Sequence, residues 1–303
     1  MIEYINNGFT VFDLADHYGP SEDLYGELNS QVYKDDDNEL GLDSDRKKEI
    51  TAFTKWFPRP GNMSLENVSS SIENTIQRMK VTQIDLLQFH WWDYDDERYI
   101  LALQSLKSLQ NQGKIRHIGL TNFDTATMKR IVMDGNSPSI VSNQVSYSVI
   151  DRRVEKTMIK YCKDADISIL AYGVCLGGLI SEKFLGVPQP SQVALNTWSL
   201  SKYSDYVNRW GGWNLFQELL EQLKLVGDKY SVSLTAVAIR YILDKEMVAA
   251  VILGCRLGIH QHIDETKSVF SFKLDQDDIK KIDKIASKGD TMLGWNDCGD
   301  EYR

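Results

Sequence analysis

The stretch ITAFTKWFPRPGNMSLENVSSSIENTIQRMKVTQIDLLQFHW, residues 50–91, decides the fold. Residues 50–56 are rich in β-branched and aromatic side chains and read as a strand. Residues 64–80 carry Leu65, Val68, Ile72, Ile76 and Met79 three or four positions apart, one apolar stripe on a helix that Ser64 begins. Residues 84–91 return to a near-continuous apolar run, as a strand covered on both faces requires. Strand, amphipathic helix and strand make one βαβ unit, whose strands run parallel.

The same rhythm extends in both directions. Residues 11–15 (VFDLA), 115–123 (IRHIGLTNF), 140–148 (IVSNQVSYS), 167–174 (ISILAYGV) and 248–254 (VAAVILG) read as further buried strands. Helical segments alternate with them at 97–113, which Gly113 closes, and at 125–135, 154–165, 216–230 and 235–245. No composition break interrupts the alternation. The expectation is an α/β fold of the (β/α)8 barrel type, one domain over residues 1–303, with a doubly wound open sheet as runner-up. Residues 34–48, KDDDNELGLDSDRKK, read as a solvated charged loop. Residues 181–212, rich in Trp and Tyr, read as a long loop, either a substrate lid or packing over the barrel.

The formal net charge of −9 opposes binding to a phosphate backbone or an anionic bilayer, so neither nucleic acid nor membrane is an expected partner. Cys162, Cys175, Cys255 and Cys298 lack paired spacing, and no Cys/His ligand pattern occurs, so no metal is expected. Reduced thiols, the absence of a ~20-residue apolar run and an N-terminus without a secretory pattern make cytoplasmic the expected location. The sequence leaves the oligomeric state open.

In a parallel barrel, reacting groups collect at the C-terminal ends of the strands. The first strand ends in Asp13 with Tyr18 just beyond, the second in Lys55 and Trp56, and the third in His90, Trp91 and Trp92. The fourth ends in Thr121 and Asn122, the fifth carries Asn143 and Gln144, and the sixth carries Tyr172. A phenol titrates near ~10, too high for ready proton transfer at neutral pH. A neighbouring lysine cation favours the phenolate, and a buried lysine needs a carboxylate counter-ion. A histidine beside them orients or polarises a carbonyl oxygen. The set composes a general acid that protonates an oxyanion as hydride reaches carbon. Singly, each has a plainer reading: Lys55 as a surface lysine, His90 as a satisfied core histidine, Trp91 and Trp92 as core aromatics.

FDLADHYG with SE after it, then TKW, LLQFHW, GKIRHIGLTNF, SNQVSYS and LAYGVCLGGLIS, resemble in order the aldo-keto reductase superfamily over nearly the whole chain. The resemblance implies a catalytic tetrad of Asp13, Tyr18, Lys55 and His90, with Asp16 and His17 as neighbours without a chemical role. It implies an extended nicotinamide cofactor, NADPH with NADH as the alternative. Thr121, Asn122 and Gln144 would hold its carboxamide, and Tyr172 would stack on its ring. Gly173, Val174 and Leu176 would lie along the pyrophosphate. Gly254, Arg256 and Glu265 would face the adenosine end, with Arg256 on a 2′-phosphate and Glu265 on the adenine amino group. Trp56 and Trp91 would border a small carbonyl substrate. Thr266 stands where the family often has Asn, and His260 and His262 fit an exposed helix start equally well. Only MIEYINN, read as a helix end, precedes the strand of Asp13, so seven barrel strands are expected, without the family's N-terminal hairpin and first strand. The implied activity is NADPH-dependent reduction of an aldehyde or ketone, reversible as alcohol oxidation, with Tyr18 as general acid. The alternatives are a non-catalytic nicotinamide-binding regulatory subunit similar to potassium-channel β subunits, and an inactive shortened relative.

Overall fold

The short helix α1 (Ile2–Asn6) precedes β1 (Val11–Asp13), α2 (Ser21–Lys34), α3 (Ser44–Glu49), β2 (Thr51–Trp56) and α4 (Leu65–Met79) in a computed structural model of the chain. Next come β3 (Ile84–His90), α5 (Arg98–Asn111), β4 (Ile115–Thr121), α6 (Thr125–Met133) and β5 (Ile140–Ser146). Then follow α7 (Met158–Ala165), β6 (Ser168–Tyr172), α8 (Trp198–Trp210), α9 (Gly212–Tyr230), α10 (Leu234–Leu243), β7 (Val248–Val251), α11 (Ile263–Ser268) and α12 (Gln276–Ala286). The structure describes residues 1–34, 40–42, 44–191, 193–259, 261–289 and 296–298. Among these residues seven parallel strands form one sheet in chain order, the arrangement of a (β/α)8-type fold. No helix among them is long and apolar enough to cross a membrane.

The chain divides into two compact units, Met1–Gln144 and Val145–Cys298, and the division falls inside β5. In the first unit, α4 buries Val68, Ile72 and Met79, three members of the apolar stripe read from the sequence. Ile5 of α1 joins a cluster with Leu14, Tyr25, Leu28, Val32 and Met79, so the N-terminal turn is part of a core. Helices α2 and α4 approach so closely that a Cβ on Gly26 would stand 2.1 Å from the Arg78 carbonyl oxygen, which leaves glycine as the residue that fits. In the second unit, α10 is buried along most of its length, and α12 starts with a capping box between Asp275 and Asp278.

Two segments differ from the expectation. Residues 181–212 are not an unstructured loop, because they hold all of α8. Thr197 caps it by accepting from the Leu200 N–H, and Tyr203, Tyr206, Val207 and Trp210 bury one face at intervals of three, four and seven. Tyr203, Tyr206 and Trp210 of that segment are a helix stripe. Within 34–48, Lys34 closes α2 and α3 begins at Ser44, while residues 35–39 and 43 lie outside the described residues.

Candidate active site

The strand registers set Lys55 opposite Gln88, His90 opposite Thr121, and Thr121 opposite Gln144. Side chains alternate along a strand, so Gln88 and His90 share one face of β3. The β1–β2 pairing runs past Asp13, through hydrogen bonds from Lys55 N–H to the Leu14 carbonyl (3.1 Å) and from Asp16 N–H to the Lys55 carbonyl (3.0 Å).

Three side chains meet on the Asp13 carboxylate. Lys55 Nζ donates to Oδ2 at 2.5 Å, while Gln88 Nε2 and Gln144 Nε2 each donate to Oδ1 at 2.9 Å. Gln144 Nε2 also donates to Gln88 Oε1 at 2.6 Å. Lys55 is buried, and burial pushes its ammonium below the usual lysine range against the pull of Asp13. That ammonium stands 4.8 Å from the centroid of the Tyr18 ring, and Tyr18 itself is 48% exposed.

The loop carrying Tyr18 is fixed from below. Arg78 of α4 reaches back across it, donating to both carboxylate oxygens of Asp23, to Glu22 Oε2 and to the carbonyls of Asp16 and Gly19. Glu22 is fully buried and also accepts from Thr54 Oγ1 at 2.6 Å; burial raises its pKa against those hydrogen bonds. Asp16 accepts from the Phe57 N–H at 2.9 Å and holds the His17 ring at 2.7 Å. Asp16 and His17 therefore shape the loop.

Aromatic contacts continue from it. His17 meets Tyr18 edge-on at 4.8 Å and Phe57 at 5.2 Å, and Phe57 meets His90 at 4.5 Å. His90 is 8% exposed, and burial, reinforced by His17 and Lys55, pushes its imidazole down to about 3. It is neutral at physiological pH. Trp56 and Trp91 are buried, and the Trp91 indole N–H donates to the Asp93 and Asp96 carbonyls. The indole that reaches the surface beside His90 is Trp92, 38% exposed, with its ring near-parallel to the imidazole.

Thr121, Asn122 and Gln144 belong to the same unit. The Thr121 hydroxyl is buried with no hydrogen-bond partner among the described residues, the state of a group that awaits one. Asn122 takes a left-handed φ of 59°, its N–H bonds the Gln144 carbonyl at 2.9 Å, and its own carbonyl accepts from Tyr94. An amide group of a ligand fits the Thr121 hydroxyl. The Gln144 amide nitrogen donates to Asp13 and Gln88.

The remaining predicted cofactor residues lie in the second unit. Tyr172 ends β6, and the Lys202 ammonium of α8 stands 5.7 Å from its ring centroid, within 5.3–5.6 Å of the Trp198, Tyr203 and Tyr206 rings as well. Gly173 has φ of 75°, and a Cβ there would meet Tyr203 Oη at 2.5 Å, so α8 seats itself on this glycine. Val174 and Leu176 are buried in the turn that follows. Gly254 and Arg256 are exposed beyond β7. Glu265 accepts from Ser233 Oγ at 2.6 Å, and the same Ser233 hydroxyl caps α10. The Thr266 hydroxyl donates to the His262 carbonyl at 2.7 Å, within its own helix, and His260 lies outside the described residues.

Sequence reading missed Gln88, Arg78 and Lys202. Gln88 had a signal: a polar residue inside LLQFH, two positions before His90. Arg78 had none, since its partners are more than 50 positions away.

Comparison with known proteins gives a consistent result. A model of the aldo/keto reductase family matches residues 1–287. Flagellar radial spoke protein 5 of Chlamydomonas reinhardtii is 34% identical over 179 residues, covering 53% of this chain and 33% of that protein's length. The aldo-keto reductase YhdN of Bacillus subtilis is 24% identical over 291 residues, 93% of this chain and 80% of the relative. Among solved structures, an aldo/keto reductase from Klebsiella pneumoniae, in complex with NADP and acetate, superposes with a TM-score of 0.68 at 16% identity over 94% of this chain and 83% of the other. With the family pattern running from residue 1 to residue 287, this chain belongs to the aldo/keto reductase family of NAD(P)H-dependent oxidoreductases.

Proposed function

We propose that this chain reduces a small aldehyde or ketone with NADPH, NADH being the alternative, and oxidises the alcohol in reverse. The observation that carries the reading is the buried Lys55–Asp13 pair with its ammonium 4.8 Å from the ring of a half-exposed tyrosine. A fixed cation beside a phenol stabilises the phenolate, so Tyr18 releases its proton more readily. Asp13 keeps Lys55 charged and in place, and Gln88 and Gln144 hold Asp13. Bound in reduced form, the nicotinamide supplies the hydride that the carbonyl carbon receives. Tyr18 Oη gives its proton to the carbonyl oxygen, and the phenolate left behind faces Lys55 until water restores the proton. Neutral His90 donates a hydrogen bond to that oxygen and carries no charge of its own.

Thr121, Asn122 and Gln144 would hold the carboxamide, Tyr172 the ring face, Gly173, Val174 and Leu176 the diphosphate side, and Gly254, Arg256 and Glu265 the adenosine end. The exposed Arg256 guanidinium suits a 2′-phosphate, which supports NADPH. Trp56 and Trp91 would border the substrate, joined by Trp92, the indole exposed beside His90. Cytoplasmic residence belongs to the same reading, since Cys162 and Cys255 are free thiols. Tyr18→Phe tests the proposal. Reduction of a reactive aldehyde should be lost while NADPH still quenches tryptophan fluorescence. Undiminished turnover in that variant overturns the role of Tyr18, and saturable NADPH binding without turnover by the unaltered chain overturns the enzyme reading.

A further inference from the structure

A pocket of about 330 Å3 opens beside the loop that carries Tyr18, and no member of the tetrad lines it. That volume falls at the low end of small-molecule sites, ~300–1,000 Å3. Its floor is apolar and buried, made by Trp56, Met63 and Val68. Most of its wall groups are neutral and polar. Asn67, Ser71 and Asn74 stand four and three positions apart on α4 and form one stripe along it, with Asn62 facing them from the loop after β2.

These wall groups have capacity to spare among the described residues. Asn62 spends its Oδ1 on the Ser64 N–H, which leaves its amide nitrogen. Asn67 spends its Nδ2 on the Asn62 carbonyl, which leaves its Oδ1. Ser71 donates to the Asn67 carbonyl and can still accept. The side chains of Asn74 and Arg59 make no hydrogen bond or ion pair with any described residue. Donors and acceptors thus alternate around an apolar floor.

Asp16 and Arg59 bring one charge of each sign to the pocket, so its lining carries no net charge. An ion of either sign meets one attractive and one repulsive group there, so the pocket favours neither, and a hydrocarbon would leave the amides without partners. A hydroxyl both donates and accepts, and a sugar or polyol adds C–H surface for the floor. We propose that this pocket binds a small neutral polyol or monosaccharide, apart from the reacting groups. Its occupant touches the reaction loop at one remove, because Asp16 holds His17 at 2.7 Å and His17 meets Tyr18 at 4.8 Å.

Ligand-observed saturation-transfer NMR on the full chain tests this, with xylitol and myo-inositol as probes and gluconate as the anionic control. Transfer to the C–H protons of both probes is expected in the unaltered chain and equally in Tyr18→Phe, with the His17 imidazole resonances moving on saturation. Ser71→Leu and Asn74→Leu fill the pocket from exposed helix positions, where leucine is the better helix former, so the fold is kept. Each should weaken binding at least tenfold, about 1.4 kcal/mol. No transfer in the unaltered chain, or transfer that survives both leucine variants, overturns the site. Gluconate binding as well as xylitol overturns the ligand class. Because binding is read without turnover, a failure here is distinct from a failure of the reductase reading.

Discussion

Tyr18 in the first unit and Tyr147 in the second are the same phenol given opposite neighbours. Tyr18 lies half exposed over the Lys55 ammonium. Tyr147 is buried and donates to Glu155 Oε1 at 2.8 Å, so burial and the carboxylate together push its proton loss far above any working pH. Around it, Arg152 pairs with Glu155 at 2.6 Å and with Asp283 at 3.6 Å, Tyr241 donates to Asp283, and Lys245 donates to Tyr241 at 2.9 Å. Asp151 and Arg153, 0% and 1% exposed, form a bidentate pair. Every charge in that second network is answered by another, and its phenols serve as permanent donors. The first network ends on a ring that faces outward. A tyrosine beside a cation is disposed to lose its proton, and one beside a carboxylate is disposed to keep it.

The largest effect that sharpens this contrast is on rate. Tyr18→Phe should lower carbonyl reduction ~10²–10⁴-fold, the usual worth of a positioned general acid, with no fall in melting temperature. In the second unit the largest effect is on stability. Arg153→Met leaves Asp151 buried and unanswered and should cost about 3–5 kcal/mol in urea unfolding, with activity per folded molecule unchanged. Lys55→Met should do less to the fold, about 1–3 kcal/mol, because Asp13 keeps two amide donors, while the alkaline limb of the rate profile moves up in pH. Equal destabilisation by the Arg153 and Lys55 variants would break the comparison.

A pH-dependent effect follows from His90. Its folded value, about 3, lies below the 6.5 of the unfolded chain. As pH falls, the unfolded chain takes the proton first, so stability present above pH 6.5 is lost toward pH 3. The unaltered chain should lose up to ~1.4 kcal/mol per pH unit in that window relative to His90→Gln, measured as urea midpoints against pH. The smallest change is Tyr147→Phe, about 1 kcal/mol of stability and none of activity.

Periodicity made all seven strands legible, and α4 within a residue at each end, because buried parallel strands and amphipathic helices leave strong local patterns. Asp13, Lys55 and His90 were legible as strand-end residues. Helix α8 reads as a loop from sequence because its stripe is built from Tyr and Trp, which also suit a lid. Gln88 looked like a strand residue, and its partner Asp13 is 75 positions away. Arg78 looked like an exposed helix cation, and only the folded contact of α2 with α4 reveals what it holds.

Arg78 also ties the motion of the Tyr18 loop to that of a helix. Its guanidinium grips the loop at Asp16 and Gly19 and the first turn of α2 at Glu22 and Asp23. A segment tacked down at four points has no free hinge, so its amide exchange should follow the unfolding of α4. Insertions between Asp16 and Asp23 would be poorly tolerated there, whatever their composition, whereas ordinary surface turns absorb them with little loss.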